Sequence, residues 1–409
     1  MENGRITVPL EAREVDWEIA PGRSVRGFAF NGEVPGPVIE AQVGDTLVVP
    51  LTNRLNEPTT IHWHGIRLPA EMDGTESVQW AVEPGETFEY RFVLPDAGTF
   101  WYHSHVNETE QIERGLYGAL IVRGPDEPTL DRERVLVLDD VKLDDEGQIA
   151  PFGDPHEHHA GREGEVLLNG KQEAELHIAG GQIERWRIVN AANTRFVRLS
   201  IGGRPFSIIG TDGGLLPRPL QAQEVLVTPG ERLDLAVGPF VEGELIEIEA
   251  LSYDRGKGES AVQRFGTLSV GPAAPSRAKL PDAFRQIDAL VSRTAAATRT
   301  VSMKALMHGG LHQRDEPVRV GELQVWDLVN ETGQDHPFHL HGFFFQVLEE
   351  NGRPQSVLSW KDTVNVPRKG NVRIAWLPDD RPGEWMYHCH ILEHHAMGMM
   401  AHFEVLPSH

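Results

Sequence analysis

The sequence predicts an all-β protein built from three consecutive β-sandwich domains. The chain has 409 residues, and at about 150 residues per domain this favours two or three domains. Its 41 glycines and 28 prolines indicate many turns between short strands. One pattern recurs three times at domain-sized intervals: a turn glycine, an alternating β-rich run and a turn asparagine.

The repeated pattern predicts where the domains lie. Glycine and asparagine stand nine positions apart in residues 44–53, 181–190 and 321–330, and successive copies begin 137 and 140 residues apart. Solenoid repeats have much shorter periods than this. We therefore expect three domains, separated by stretches rich in proline, glycine or alanine: 1–124, 133–271 and 299–409. Residues 282–291, in the second of these stretches, are compatible with a short helix.

Eight histidines stand in pairs of the form His-x-His at equivalent points of the repeat. Nine residues after the repeat asparagine, the outer domains carry His-x-His-Gly at 62–65 and 339–342, whereas the middle domain carries Leu-x-Ile-Gly at 199–202. The other two pairs, at 103–105 and 388–390, each follow a glycine by 18 residues. Side chains at i and i+2 of a strand share a face, so each pair directs two imidazoles the same way, as a metal cluster requires. Zinc also accepts three imidazoles, but eight imidazoles and a separate thiolate exceed an ordinary zinc site.

The single cysteine, Cys389, excludes an intramolecular disulfide and a Cys-rich zinc or iron–sulfur site. It is flanked by histidines and followed by His394 and Met399, and His336 lies earlier in the same domain. A thiolate with two imidazoles and a weak axial thioether is the ligand set of blue-copper electron-transfer sites. Alternation along a strand turns Cys389 to one face and its two neighbours to the other, so the tripeptide connects a single copper to a cluster. The alternatives are an inert buried thiol for Cys389 and a packing role for Met399.

Taken together, these motifs resemble those of the three-domain multicopper oxidases of the laccase-like, bacterial kind. The resemblance covers essentially the whole chain, from Asn31-Gly32 and Pro35-Gly36-Pro37 through residues 98–103 to the motif at 388–399. It implies three consecutive cupredoxin-like Greek-key β-sandwich domains, with copper held by the first and third and the second acting as a spacer without ligands. It also implies four copper ions: one of type 1, one of type 2 and two of type 3.

The family's ligand motifs match individual residues of this chain. By this resemblance the type 1 ligands are His336, Cys389, His394 and Met399, the type 2 ligands are His62 and His339, and the two type 3 sets are His64, His103, His390 and His105, His341, His388. His394 is then the solvent-side entry for electrons. The implied activity is that of a laccase (benzenediol:oxygen oxidoreductase): single electrons are taken from phenols or aromatic amines at the type 1 copper, and O2 is reduced to water at the trinuclear cluster.

Two positions bear on the supply of protons. Asp73, in Met72-Asp73-Gly74, matches an acidic residue that the family places near the type 2 copper, and its alternative role is an Asp-Gly turn. Many bacterial relatives carry a glutamate directly after the second type 1 histidine, whereas this chain has His395 there. Protons then arrive through His395, Asp73 or water. We expect His395→Glu to shift the pH optimum, and an unchanged pH profile would argue against a relay at this position.

Two other enzyme or binding classes stay open. One is a metallo-oxidase that acts on Cu(I), Fe(II) or Mn(II). The other is a copper-binding relative that has lost catalysis, and the complete set of ten histidines with Cys389 and Met399 counts against it. Met303 and Met307 fit either a Cu(I) site or ordinary packing. His156, His158 and His159 lie in a stretch bracketed by glycine and proline, which predicts a solvated loop, with an extra metal site as the alternative.

The net charge and the hydropathy of the chain limit the classes of partner that we expect it to bind. The net charge of −23 opposes binding to nucleic acid or to an anionic membrane surface, and no stretch approaches the roughly 18 apolar residues of a membrane helix. The N-terminus, Met1 to Arg5, lacks the pattern of a secretory leader. The chain is therefore cytoplasmic or has lost a leader, and we favour a secreted or periplasmic protein. We expect a monomer whose partners are small molecules or metal ions and O2.

Overall fold

The computed structural model describes residues 4–310 and 313–408, apart from the side chains of residues 155 and 158. Within these ranges the chain is almost entirely β and forms three consecutive two-sheet sandwiches, which confirms the predicted fold class. None of the helices described in these ranges is long and apolar enough to span a bilayer. We keep 1–124, 133–271 and 299–409 as the proposed domain limits.

The first sandwich contains nine strands among residues 4–123. They are β1 (Arg5–Thr7), β2 (Leu10–Ala20), β3 (Arg23–Phe30), β4 (Gly36–Gln42), β5 (Thr46–Asn53), β6 (His62–His64), β7 (Thr87–Val93), β8 (Gly98–His103) and β9 (Tyr117–Arg123). One sheet has the order β1-β5-β2-β3, with β7 also paired to β5, and the other has the order β4-β9-β8-β6. The second sheet therefore ends in the two strands that position the histidine pairs of this domain.

The second sandwich is the largest and contains eleven strands among residues 132–273. They are β10 (Arg132–Val141), β11 (Glu165–Leu168), β12 (Ala174–Gly180), β13 (Glu184–Asn190), β14 (Val197–Ile201), β15 (Phe206–Thr211), β16 (Gly214–Ala222), β17 (Glu224–Val227), β18 (Arg232–Val237), β19 (Leu245–Leu251) and β20 (Gln263–Ala273). The two sheets have the orders β11-β10-β13-β18-β15-β16 and β12-β20-β19-β14-β17. Strand β14 carries Leu199 and Ile201 at the points where the outer domains carry histidines.

The third sandwich contains ten strands among the described residues from 299 onward. They are β21 (Arg299–Ser302), β22 (Val318–Arg319), β23 (Gln324–Val329), β24 (His336–Leu340), β25 (Phe345–Glu350), β26 (Arg353–Pro354), β27 (Thr363–Val366), β28 (Asn371–Trp376), β29 (Gly383–Cys389) and β30 (Met400–Leu406). The sheets have the orders β21-β23-β28-β25-β26 and β22-β30-β29-β24-β27. Strands β24 and β29 are neighbours, as β6 and β8 are in the first sandwich.

The three repeat asparagines make the same set of hydrogen bonds in each domain. The side-chain amide of each donates to two backbone carbonyls, and its oxygen accepts a backbone N–H two residues ahead: Asn53 (Glu57, Val82 and Leu55), Asn190 (Arg195, Val227 and Ala192) and Asn330 (Gln334, Val366 and Thr332). Each asparagine therefore ties the end of its strand to the turn that follows and to a distant strand. An equivalent position in the fold explains the equal spacing in the sequence.

The hydrophobic cores place the outer domains against each other. Buried residues of the first and third sandwiches, such as Trp63 and Trp326, belong to one continuous cluster. The core of the second sandwich, around Trp186 and Phe265, is separate from it. Burial of apolar surface is the main stabilising term in such packing. The junction of the first and third domains is therefore held rigidly, and the histidine pairs lie at this junction.

Short helices connect the strands: α1 (Glu108–Glu113), α2 (Pro155–Ala160), α3 (Met303–Gly309) and α4 (Leu392–Ala396), with a 3-10 turn at Ala70–Met72. The predicted loop at 156–159 is therefore wrong. The carboxylate of Asp154 accepts the N–H of His156 and Pro155 stands in the first turn, a combination that starts a helix. The helix considered at 282–291 is absent. The backbone there bonds to other strands, as when the N–H of Phe284 donates to the carbonyl of Pro217.

Candidate metal centre

The eight paired histidines meet between the first and third domains. Strand β6 pairs with β8 so that His62 lies opposite His103, and β24 pairs with β29 so that His339 lies opposite His388. Each strand pair presents its histidines toward the other domain. All eight are buried, with no more than 7% of any of them exposed.

The ring nitrogens of these histidines form compact groups. In each group the candidate ligand atoms lie within 4.8 Å of one another: His62, His64 and His339; His64, His103 and His390; and His105, His341 and His388. A fourth group of the same compactness joins His62 and His341 to Asp73. Three-nitrogen groups of this size match the coordination that imidazole gives to copper or zinc.

Seven of the eight rings have one nitrogen held by an oxygen of the protein that only accepts hydrogen bonds. In four rings Nδ1 contacts a backbone carbonyl: His62 with Asp73 (2.8 Å), His103 with Ser104 (2.8 Å), His339 with Asp362 (3.0 Å) and His388 with Cys389 (2.9 Å). In two rings Nδ1 contacts a carboxylate: His105 with Glu108 (2.6 Å) and His341 with Asp73 (2.8 Å). In His64 it is Nε2 that contacts a carboxylate, that of Asp362 (3.1 Å). These nitrogens must donate, so the other nitrogen of each neutral ring carries a lone pair. Such outer contacts are what orient histidines that bind metals.

The lone pairs of these nitrogens point toward one another without a hydrogen-bond donor of the described residues between them. The Nε2 atoms of His341 and His388 lie 3.0 Å apart although both Nδ1 atoms donate elsewhere. Further buried ring nitrogens of the cluster have no hydrogen-bond partner among the described residues: Nε2 of His62, His103, His105 and His339, Nδ1 of His64, and both nitrogens of His390. Burial lowers the pKa of most of these rings, so protonation does not relieve the repulsion: His64, His103, His339, His341, His388 and His390. Bound cations satisfy this arrangement, and the residues therefore fit a metal cluster.

The second site lies on the other face of β29. The Sγ of Cys389 is 3.6 Å from Nδ1 of His336 and 3.7 Å from Nδ1 of His394. The carbonyl of Met399 accepts the N–H of Cys389, and both side chains pack in the same buried cluster. Burial raises the pKa of Cys389 to about 12, so a bound cation is needed to hold it as a thiolate. Two imidazoles and a thiol in a dry pocket fit a copper ion of the blue type.

The two sites are joined by a very short path along β29. Cys389 belongs to one site, and its neighbours His388 and His390 belong to the other. The ring N–H of His388 also donates to the carbonyl of Cys389 over 2.9 Å. A covalent route and a hydrogen bond therefore connect the sulfur to the cluster.

Two aspartates hold the cluster in a symmetrical way. Asp73 accepts from His62 through its carbonyl and from His341 through its carboxylate. Asp362 accepts from His339 through its carbonyl and from His64 through its carboxylate. Each aspartate thus binds one histidine of its own domain and one of the other domain. Sequence reasoning found Asp73 but missed Asp362, because it stands 23 residues after His339 whereas Asp73 stands 11 after His62.

A third buried acid, Glu108, was also missed. It begins α1 and lies 2.6 Å from Nδ1 of His105 and 2.6 Å from Nδ1 of His395. Although burial opposes charge, these two imidazoles hold the pKa of Glu108 well below its usual value, and Glu108 raises the pKa of His105. The ring of His395 also stacks on His388 with centroids 4.2 Å apart. A carboxylate therefore does approach the cluster beside position 395, but it comes from the first domain.

The middle domain contributes contacts without contributing a histidine to any of these groups. The guanidinium of Arg232 binds the carboxylate of Asp362 over 2.5 and 2.7 Å, and all of these atoms are buried. Gly230 packs on the ring of His390, where an added Cβ would lie 2.8 Å from the ring, and its φ is +84°. The second domain therefore does more than separate the other two domains, because its residues contact a histidine of the cluster and an aspartate that holds two others.

The remaining predicted residues lie elsewhere. Met303 is fully buried in the outer-domain core and Met307 packs against it, which favours packing over a Cu(I) site. His394 is fully buried, and its role as the entry for electrons stays a prediction. Its Nε2 lies 3.4 Å from the carbonyl of His159, on α2. The side chain of His158 lies outside the described part of the chain.

Comparisons with known proteins agree with this geometry. Models of multicopper oxidase domains match residues 11–127, 139–239 and 289–409. The chain belongs to the multicopper oxidase family. This multicopper oxidase is 31% identical to multicopper oxidase MmcO of Mycobacterium tuberculosis, over 94% of the chain and 84% of that protein. It therefore belongs to a family of copper-binding oxidoreductases that use O2 as electron acceptor.

Solved structures of other multicopper oxidases have the same three cupredoxin-like domains. The enzyme from Campylobacter jejuni, described as a metallo-oxidase, has a TM-score of 0.86 and 29% identity, covering 99% of this chain and 92% of that one. A laccase from Pediococcus acidilactici has a TM-score of 0.86 and 27% identity, covering 99% and 91%. This multicopper oxidase is thus similar both to a protein described as a metallo-oxidase and to one described as a laccase.

Proposed function

We propose that the chain is a four-copper oxidase that takes single electrons at Cys389 and its histidines and passes them to O2 at the histidine cluster. The observation that carries this proposal is the convergence of buried imidazole lone pairs from two domains. The ligand sets are those implied by the resemblance: His336, Cys389, His394 and Met399 for type 1, His62 and His339 for type 2, and His64, His103, His390 with His105, His341, His388 for type 3. All of them come from one chain, so a monomer is sufficient.

Bound copper would supply the one-electron storage with which O2 is reduced to water by four electrons and four protons. The protein supplies the rest. The Cys389 carbonyl and the His388 ring N–H join the two sites, while Asp73 and Asp362 fix the ring orientations. Burial of the eight histidines shields most of the cluster from bulk water. Asp73 Oδ1 has no hydrogen-bond partner among the described residues and is available to accept a hydrogen bond from a water beside His62.

The surroundings of His394 favour metal ions over phenols as the reductant. The α2 helix covers this ring, so a flat aromatic molecule has no direct contact with it. A small cation needs less room than an aromatic ring. The whole chain carries a net charge of −23, which attracts cations to its surface, whereas Arg255 and Lys257 are the charges that act on His394 itself. Exposed His156 and His159 on α2 offer imidazoles at this point. We therefore propose Cu(I) or Fe(II) as the preferred substrate class, with phenols or aromatic amines as the second candidate if α2 moves aside.

The experiment compares copper-loaded wild type with Cys389→Ser. We expect about four copper ions per chain, a blue colour and O2 uptake in the wild type, and loss of colour and turnover in the variant with the fold retained. O2 uptake is then measured with Cu(I), Fe(II) and an electron-rich phenol. Failure to bind copper, or absence of the blue colour, would overturn the four-copper proposal. Turnover of the phenol alone would favour the second candidate.

A further inference from the structure

A stripe of metal-binding side chains runs from the cluster toward the surface along β29 and β30. In this antiparallel pair, His388 lies opposite Met400, Met386 opposite His402, and Glu384 opposite Glu404. Because side chains alternate along a strand, all six lie on one face of the pair. The other face carries core residues such as Trp385 and Phe403. The stripe therefore places thioethers and an imidazole next to a ligand of the cluster.

This face lines a cavity of about 520 Å³. At its inner end are His105, which belongs to the cluster, and His395, which adjoins it. Met386, Met400 and His402 form one wall. Met386 and Met400 are 2% and 8% exposed. The cavity is thus a partly open chamber whose wall is lined by soft ligands, and it ends at the cluster.

Besides the cluster histidine His105, two imidazoles in the cavity have a nitrogen without a hydrogen-bond partner. Nδ1 of His402 is buried and makes no hydrogen bond with the described residues, although Oε1 of Glu384 lies 3.5 Å away. Nε2 of His395 is likewise without a partner. Burial lowers the pKa of His402, so its ring is neutral and able to bind a metal. At the outer end of the cavity, the guanidinium of Arg314 donates a hydrogen bond of 2.9 Å to the carboxylate of Glu384.

We propose that Met386, His402 and Met400 form a binding site for one further Cu(I) ion, through which copper reaches the buried cluster. Thioether and imidazole are soft ligands that select Cu(I) over harder cations. The eight histidines of the cluster are buried, so copper needs a route to them, and the stripe brings Met400 directly opposite His388. The ion moves from one ligand set to the next without a change of oxidation state. The delivery step rests on the proposed function, but binding at the stripe does not.

Silver tests whether the stripe binds a metal ion, because Ag(I) resembles Cu(I) in its ligand preference and is not oxidised by the enzyme. The copper-loaded protein is titrated with silver nitrate in chloride-free buffer, and bound silver is measured after desalting. We expect one silver ion at this site, with sulfur neighbours in its X-ray absorption spectrum. Met386→Leu and His402→Gln should each weaken its binding at least about tenfold, and Arg314→Gln should strengthen it by removing a competing cation. Met303→Leu, in the core, is the matched control. Equal silver binding by wild type and both ligand variants would overturn the proposal.

Loading kinetics test the delivery step. Metal-free protein is mixed with Cu(I) under argon, exposed to air, and followed by the near-ultraviolet absorption of the coupled copper pair. We expect Met386→Leu and His402→Gln to load several times more slowly than wild type and Met303→Leu, and to reach the same final copper content. Unchanged loading rates would overturn the route. A wild type whose cluster takes up no copper would instead count against the proposed function, while the silver titration would still decide whether the stripe binds a metal.

Discussion

At the residue scale, the cluster depends on which nitrogen of each ring is free. Asp73 and Asp362 decide this for four histidines, because a carbonyl or a carboxylate accepts only from a ring N–H. Asp73 has a second task, since the same carboxylate links the first domain to His341 of the third. Replacing it therefore changes the orientation of ligands without removing any ligand.

Asp73→Asn tests this orienting role. The amide is uncharged and weakens the contact with His341, so we expect the affinity for type 3 copper to fall about 10- to 100-fold, as for other outer partners of metal ligands. Copper content after dialysis and the near-ultraviolet absorption measure the effect. Asp45→Asn, at a surface turn where the carboxylate accepts the N–H groups of Gly4 and Gln42, is the control. Full copper retention by Asp73→Asn would contradict the orienting role.

At the element scale, six residues of α2 control access to the candidate electron entry. The helix belongs to the middle domain and lies over α4, where His394 is fully buried. It is anchored by Glu157, whose carboxylate binds Arg162 over 2.9 Å. The carbonyls of His159 and Ala160 also accept hydrogen bonds, from Gln334 and Arg255. The helix is therefore held at several points, and we expect it to keep large molecules from the ring of His394.

Replacing residues 155, 156 and 158–160 by glycine and serine, while keeping Glu157, removes this cover. We expect kcat/KM for an electron-rich phenol to rise at least about tenfold, which corresponds to about 1.4 kcal/mol, because the ring of His394 becomes exposed. Steady-state O2 uptake measures it. The double variant His156→Ala/His159→Ala keeps the helix and is the matched comparison: phenol oxidation should stay low and metal-ion oxidation should fall. Equal phenol rates in the wild type and the glycine–serine variant would show that α2 is no barrier.

At the scale of the whole molecule, buried charges tie the three domains together. Arg232 of the second domain binds Asp362 of the third, which in turn holds His64 of the first. Tyr117 of the first domain donates to the carboxyl group of Asp139 of the second over 2.5 Å, a hydrogen bond between neutral groups rather than an ion pair. Removing one member of a buried ion pair costs about 3–5 kcal/mol. The relative positions of the domains, and with them the cluster, therefore depend on these contacts.

The Asp139 contact makes stability depend on pH. Burial raises the pKa of Asp139 well above its usual value, so between about pH 4 and the raised value the folded protein holds a proton that the unfolded chain has lost. The free energy of unfolding then decreases as pH rises, by about 1.4 kcal/mol per pH unit in that window. In the Asp139→Asn variant the side chain is always neutral, so the free energy of unfolding does not decrease with rising pH for this reason. We expect the Tm of the variant, relative to wild type, to increase from pH 5 to pH 8, as measured by calorimetry.

The opposite trend, or a constant difference in Tm, would show that Asp139 is charged in the folded protein. Asp126→Asn, in the exposed turn after β9, is the control and should leave the pH dependence of Tm as it is in the wild type.

Much of this protein follows from local sequence. The alternation of side chains along a strand places both histidines of each His-x-His on one face and turns Cys389 away from its neighbours. The recurring Gly and Asn reveal the three domains, because the asparagine makes the same turn contacts in each copy. Both features act over a few residues, so they are visible without knowing which domains touch. They account for the all-β fold, the eight paired histidines and the orientation of Cys389. His336, His394 and Met399 follow instead from the ligand set of blue-copper sites and from the resemblance to the family.

The tertiary structure decided the surroundings of those sites. Glu108 lies beside His395 and Arg232 beside Asp362 across 287 and 130 residues of sequence, and neither pair follows the repeat. The cover over His394 comes from a stretch of another domain whose helix depends on the cap at Asp154. Such contacts depend on how whole domains pack, and packing is set by the summed burial of many side chains rather than by a local pattern. The chain therefore displays its metal ligands in its sequence, whereas the choice of reductant and the path of copper and protons depend on the packing of the domains.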